Sequence, residues 1–226
     1  SAIEALGLSL PNSSAQEAVS EQKRTDSYNA GAAVFNLIAR GIRPSDILCR
    51  EAFENAITTV IALEGSTNAV LHLLAIAHSA GIPLTLDDFS RIGARVPVLA
   101  DMRPAGQYAM SELIAIGGIQ PLMKTLLDAG LLHGDIPTVG GDSLADYARD
   151  PAMDGEQLVW RDVPESRDES ILRAATNPFR ADGGMRLVQG NLGRATFKTS
   201  AVDKERWTIE APCRVFETQE AVIAAF

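Results

Sequence analysis

Residues 64–77, Glu-Gly-Ser-Thr-Asn-Ala-Val-Leu-His-Leu-Leu-Ala-Ile-Ala, set a small polar turn directly against a helix that is apolar on nearly every side. Val70, Leu73, Leu74 and Ala77 recur at i, i+3, i+4, i+7, and Leu71, Ile76 and Ala80 cover much of the remaining circumference. A helix apolar all round is stable only when it is surrounded, so the pattern predicts a buried helix whose start is buried with it. Gly65, Ser66, Thr67 and Asn68 then place backbone N–H groups, hydroxyls and an amide at the positive end of the helix dipole. Two uses fit these residues. One is an ordinary cap, with Ser66 or Thr67 accepting from the first-turn amides. The other is a binding site for the carboxylate or phosphate of a substrate.

The rest of the first 150 residues reads as a helix-rich body. Residues 1–8 have the pattern of a helix end, and Leu10 to Ser14 that of a loop. A long helix is predicted from Glu21 to Arg40, with Tyr28, Ala32, Phe35 and Ile38 on one stripe, stopped by Gly41 and Pro44. Ser45 to Leu63 is mostly helical in pattern, and the helix after the polar turn ends near Gly81. Thr85-Leu86-Asp87-Asp88 reads as a capping box for a helix over 86–94. Helices near 109–116 and 120–129 are expected to stop at Gly117 and Gly130. Residues 151–183, with prolines and many charges, read as a linker or surface excursion. After Gly183-Gly184, strand-like runs are predicted at 185–188, 194–198 and 213–216, then a terminal helix capped by Thr218. The fold class expected is therefore α/β.

Catalytic and metal motifs are sparse. There is no Cys-x-x-Cys, His-Glu-x-x-His or Gly-x-x-x-x-Gly-Lys, so local spacing declares no metal, catalytic or nucleotide site. Cys49 and Cys213 are far apart and read as small buried hydrophobes, which disfavours a secreted disulfide framework and suits a reducing, cytoplasmic setting. His72, inside the apolar helix, is expected to be a core imidazole with one satisfied N–H. His78 and His133, near helix ends, are expected in a dipole contact or in solvent, and Asp87-Asp88 at a helix N-terminus rather than on Mg²⁺. With 20 Lys+Arg against 29 Asp+Glu, the net charge of -9 argues against nucleic acid as a partner. No apolar run reaches bilayer length.

The stretch Ala62-Leu63-Glu64-Gly65-Ser66-Thr67-Asn68-Ala69-Val70-Leu71-His72-Leu73 resembles the Gly-Gly-Ser-Thr-Asn-Ala-Val-Leu-His-Leu signature of the dihydroxy-acid and sugar-acid dehydratase family. The likeness runs from end to end. It takes in Glu4 to Pro11 with Ser13-Ser14, Arg50 to Ala56, Leu86 to Phe89, Pro104-Ala105-Gly106 and Gly117-Gly118-Ile119. It continues through Gly130 to Asp135 with Thr138-Val139, Gly190-Asn191-Leu192, and Pro212 to Glu217. Two departures stand out: Glu64 occupies the place of a second family glycine, and Gly140-Gly141-Asp142-Ser143 replaces Thr-Gly-x-Thr.

The resemblance implies dehydration of 2,3-dihydroxy carboxylic acids to 2-keto acids in branched-chain amino-acid synthesis, with sugar acids or 6-phosphogluconate as the alternative substrates. A non-catalytic scaffold homologue is a third reading. The resemblance also implies an iron–sulfur cluster, Mg²⁺, a serine base and a homo-oligomer, most simply a homodimer. A Lewis-acidic iron would take the C3 hydroxyl while the base removes the C2 proton. The family's cluster cysteines and its Cys-Asp-Lys motif are expected upstream of Ser1, and its Thr-Asp-Gly-Arg-x-Ser-Gly-Gly segment beyond Phe226. Ser1 opens in mid-helix without an initiator Met, so the chain reads as a central segment. Residues 1–150 would be the end of an N-terminal α/β domain, and residues 184–226 the first strands of a β-barrel-like C-terminal domain. Gly65, Ser66, Thr67 and Asn68 would contribute wall and anion contacts to the substrate, with no acid–base group from these residues.

Overall fold

Helix α1 (Ala2–Ala5) is followed by a loop and the long α2 (Glu21–Arg40), then α3 (Pro44–Ile47), α4 (Arg50–Ala62), α5 (Asn68–Ala80), α6 (Leu86–Gly93), α7 (Met110–Ala115) and α8 (Gln120–Asp128). Strands β1 (Arg149–Asp154) and β2 (Gln157–Asp162) form one antiparallel hairpin, and β3 (Met185–Gly190) and β4 (Gly193–Lys198) a second. A short α9 (Gln219–Ala225) ends the chain. The computed structural model describes residues 1–154, 157–164 and 166–226. The class is α/β, a helix-rich body followed by small antiparallel pairs.

The enclosed helix is α4. Ala52, Phe53 and every residue from Asn55 to Ala62 are buried, and α1, α5, α6 and α8 pack around it. The run Ile57-Thr58-Thr59-Val60-Ile61 is β-branched throughout and a poor helix former by itself, so packing rather than propensity holds it. Fully burying Phe53, Ile57 and Ile61 contributes about 1.5–3 kcal/mol each. Two of its buried polar side chains, Asn55 and Thr59, find partners inside, while the Thr58 hydroxyl has none among the described residues. Asn55 clamps the backbone of His133, donating to its carbonyl at 2.9 Å and accepting from its N–H at 2.8 Å, and Thr59 donates to Met123 Sδ at 3.7 Å.

Helix α5 differs from expectation. Only Val70, Leu73 and Ala77 are buried; Leu71 is 67% exposed, and His72, Ala75 and His78 face solvent. The apolar circumference is real, but among the described residues only α4 lies against it closely. His72 is therefore a surface residue and not a core imidazole. Helix α2 likewise buries none of its residues, leaving Tyr28, Phe35 and Ile38 exposed.

The helix ends follow their chemistry. Asp88 accepts from the Thr85 N–H at 2.9 Å and from its hydroxyl at 3.2 Å, which starts α6. Thr218 accepts from the Ala221 N–H at 3.1 Å and starts α9. Gly117 and Gly130 follow α7 and α8 at positive φ, as the sequence predicts.

Residues 98–101 run alongside α4's end, with the Leu99 and Ala100 N–H groups both donating to the Ala62 carbonyl. The segment 171–180 bonds to their other side, Arg173 N–H to the Leu99 carbonyl and Asp101 N–H to the Ile171 carbonyl. Ile171 and Leu172 are buried there, inside the stretch that reads as a linker. The β3–β4 register pairs Met185 with Lys198 and Gly190 with Gly193, and β3 packs on α6. Residues 213–216 form no strand among the described residues; 213–215 are exposed and Phe216 is partly buried, and an extended segment without a neighbour has nothing to receive its backbone N–H and C=O groups. Cys213 is exposed with them, contrary to the buried hydrophobe expected, while Cys49 is partly buried beside the core.

Candidate functional site

The turn between α4 and α5 serves both helices. The Gly65 N–H donates to the Val60 carbonyl at 2.8 Å and the Glu64 N–H to the Ile61 carbonyl at 2.9 Å, the paired bonds that close an α-helix through a left-handed residue. Glu64 is that residue, at φ 56, which explains why the family's glycine suits this place. Gly65 is required for space, since a Cβ there would lie 2.9 Å from both Cγ1 and the carbonyl oxygen of Val60.

At the α5 end, the Ser66 hydroxyl accepts from the Asn68 N–H at 3.2 Å. The Ala69 and Val70 amides donate to the Ser66 and Thr67 carbonyls at 3.1 and 3.0 Å. Ser66 is thus a cap, and the amides of residues 65, 68, 69 and 70 are taken up locally. The amides of Ser66 and Thr67 make no hydrogen bond among the described residues, and the Asn68 side chain is exposed beside them. Those two amides, the Thr67 hydroxyl and the Asn68 amide are the donors left for an anion at the positive end of α5.

The turn is also gripped from the second hairpin. Half-buried Lys198, at the end of β4, donates to the carbonyls of Glu64 and Gly65, the latter at 3.1 Å. Burial pulls its ammonium below the usual lysine value, and the nearby Glu64 carboxylate, on a side chain 7% exposed, opposes that pull. The sequence pattern did not mark Lys198, because its partners are backbone oxygens distant in the chain.

A second polar cluster lies between α4 and α6. Glu54 accepts from Arg50 at 3.3 Å, from Arg91 at 2.7 Å and pairs with His133 Nε2 at 3.1 Å. Asp88 accepts from Arg50 and Arg91 in addition to its cap bonds. Burial opposes its charge, yet the bonds from Arg50, the Thr85 backbone and Arg91 outweigh it and lower its pKa to about 2. Asp88 thus belongs to a helix start, and Asp87 pairs with Arg194 of β4. His133 is held more firmly than a solvent or dipole contact implies, by Glu54 on its ring and Asn55 on its backbone.

A third cluster explains the Glu4 to Ser14 motif. Buried Glu4 accepts from the Asn12 N–H, the Ser14 N–H at 3.1 Å and the Ser14 hydroxyl at 2.8 Å. Burial raises its pKa, and the Ser14 and Asn12 bonds counter this. Tyr147 donates to the Ser9 carbonyl at 2.6 Å, with burial pushing its hydroxyl up to about 12. These contacts fix the loop onto the body.

A cavity of about 270 Å³ lies between α8 and residues 166–176, and an apolar groove of about 460 Å³ lies between α3 and α5; residues 64–68 line neither. Among the described residues no group of three or more His, Cys, Asp or Glu is placed to hold a metal ion. Burial raises the Cys49 thiol, which disfavours a thiolate ligand. The described residues therefore do not fit an iron–sulfur cluster or a Mg²⁺ site. None of their helices is long and apolar enough to cross a membrane.

The description dihydroxy-acid/6-phosphogluconate dehydratase N-terminal matches residues 1–147, and its C-terminal counterpart matches residues 170–226. The chain belongs to the dihydroxy-acid/6-phosphogluconate dehydratase family. The dihydroxy-acid dehydratase of Chromohalobacter salexigens is 52% identical over 220 residues, covering 97% of this chain and 37% of its own length. That of Methylococcus capsulatus is 50% identical over 225 residues, covering 100% and 38%. That of Mycobacterium ulcerans is 47% identical over 227 residues, covering 100% and 38%. The chain thus spans well under half the length of these dehydratases. The family boundary falls between residues 147 and 170, and the α4–α5 turn lies in the N-terminal part, Lys198 in the C-terminal part.

Proposed function

We propose that these residues are the central part of a hydro-lyase that converts 2,3-dihydroxy carboxylic acids to 2-keto acids in branched-chain amino-acid biosynthesis. The observation that carries this reading is the match across essentially the whole chain, at about half identity, to proteins named dihydroxy-acid dehydratase. In this reading residues 1–150 complete an N-terminal domain, 151–183 link it onward, and 184–226 open a β-barrel-like C-terminal domain. The enzyme is a cytoplasmic homodimer. An iron–sulfur cluster and Mg²⁺ are supplied with residues other than these, since those described do not fit them.

Removing water across C2 and C3 takes a proton from C2 and hydroxide from C3, and the enol so formed tautomerises to the 2-keto acid. The chain's own contribution is to hold the carboxylate. The Ser66 and Thr67 amides and the Asn68 side chain donate to it at the start of α5, while Gly65 and the Ser66 hydroxyl keep the turn in shape. The substrate's methyl-bearing end then points away from these polar donors.

The test uses a dehydratase of full family length carrying these residues. It is expected to form 2-keto acid from 2,3-dihydroxyisovalerate in preference to 6-phosphogluconate; the reverse preference would move the assignment to the sugar-acid branch. Asn68→Ala is expected to lower kcat/KM by about 1.5–3 kcal/mol, the loss of a hydrogen bond to a charged group, with melting temperature unchanged. Unchanged kcat/KM would reduce the turn to a cap.

A further inference from the structure

The ammonium of Lys198 and the turn it grips are 133 residues apart in the chain. Its starting point is fixed. Lys198 faces Met185 across the hairpin, and the entry to β3 is seated on the body by a hydrogen bond from the Gly183 N–H to the Gly93 carbonyl. No side chain fits at Gly183, where a Cβ would lie 2.3 Å from Ile61 Cγ2. Its end point is fixed as well. The Glu64 and Gly65 carbonyls accept no backbone hydrogen bond among the described residues, and they sit at the negative end of α4's dipole, where a cation is favoured. A lysine held between two fixed points loses rotamer freedom and hydration, which defined acceptors offset.

We infer that Lys198 is a positioning residue that acts through the Glu64 and Gly65 carbonyls to set where the Ser66 and Thr67 amides and the Asn68 side chain stand. The start of α5, in the N-terminal family region, is thereby made to depend on the β3–β4 hairpin, in the C-terminal one. Any consequence for catalysis rests on the turn being the carboxylate's seat; the link itself does not.

The test compares Lys198→Met and Lys198→Arg. In a dehydratase of full family length carrying these residues and isotopically labelled at 64–67, Lys198→Met is expected to shift the carbonyl resonances of Glu64 and Gly65 and the amide resonances of Ser66 and Thr67. It should also speed exchange of the bonded amides of Asn68, Ala69 and Val70 by about tenfold, leaving the α6 amides unchanged. Lys198→Arg, which keeps the charge and the donors, should restore both. In a dehydratase of full family length carrying these residues, Lys198→Met is expected to raise KM about fivefold while kcat stays within about twofold. Unmoved resonances at 64–68 in Lys198→Met overturn the inference, and so do changes spread evenly over the body that Lys198→Arg does not reverse. Moved resonances with an unaltered KM support the positioning role and tell against the turn as the carboxylate's seat, so the two ideas fail separately.

Discussion

Glu64 shows how one residue can be tolerated against its own backbone preference. Its φ of 56 costs a non-glycine residue about 1–2 kcal/mol, and its neighbours hold it there because both its N–H and that of Gly65 close α4. Glu64→Gly is therefore expected to raise stability, by about 0.5–1 kcal/mol after allowing for glycine's greater unfolded entropy. A higher denaturation midpoint at unchanged slope is the measurement; an unchanged or lower midpoint refutes the strain. Gly65→Ala goes the other way by about 1–3 kcal/mol, since its Cβ meets Val60 backbone that cannot yield. His72→Gln should move stability by less than about 0.5 kcal/mol, as for any exposed position without partners among the described residues. A loss of several kcal/mol in thermal or denaturant unfolding would return His72 to the core. The polar turn and its glycine were legible in the sequence as a unit. The division of labour within it was not, because which amides are occupied depends on the closing bonds of α4 and which carbonyls are occupied depends on Lys198, and no local pattern encodes either.

Among the elements, helices with local start and stop signals read correctly, as Thr85 with Asp88, Thr218, Gly117 and Gly130 show. What misled was the inference from polarity to burial. Helix α5, apolar all round, is half exposed, while α4, carrying Asn55, Thr58 and Thr59, is enclosed. Buried polar residues pass for a solvent face until their partners are known, and Asn55's partner is the backbone of His133, in a distant loop. The stretch 151–183 reads as a linker or surface excursion because of its prolines and charges, and β1 with β2 makes most of its start a hairpin. The network joining α4 to α6 gives these elements a testable acid response. Asp88 in the folded protein titrates near 2, below its ordinary 3.8, so its stabilisation is complete above 3.8 and is lost as pH falls from there through about 2. Glu54 is shifted in the same direction, its bonds to Arg91, His133 and Arg50 outweighing burial, whereas Glu4 is raised by burial and opposes the trend. Asp88→Asn is expected to lower stability at pH 7 by roughly 1–2 kcal/mol and to flatten its decline between pH 4 and 2. An acid titration of stability with the same slope in both proteins would show that Arg50 and Arg91 contribute nothing through this carboxylate.

At the scale of the whole molecule, the apolar surfaces and the missing chemistry agree. Helix α2 exposes Tyr28, Phe35 and Ile38, α5 exposes Leu71, and the last residues expose Ile209, Val215, Ile223 and Phe226, while the dehydratases that match this chain are more than twice its length. Loss of water from a 2,3-dihydroxy acid needs both a group that accepts the C2 proton and one that stabilises the departing C3 hydroxide. The candidate site offers donors to a carboxylate and a half-buried ammonium whose bonds are already directed at backbone carbonyls. Glu54 is bound to His133 and Arg91, and Asp88 to Arg50, and no described cluster holds a metal. The 226 residues alone, incubated with iron, sulfide and Mg²⁺, are accordingly expected to convert no 2,3-dihydroxyisovalerate, although the turn should keep its shape. The paired measurement is 2-keto acid formation alongside the Glu64 and Gly65 carbonyl resonances. Turnover would mean that acid–base groups do lie within these residues, and the exposed His72 and His78 of α5 would be the first to examine. Silence with an ordered turn is what a binding wall without its catalytic groups predicts.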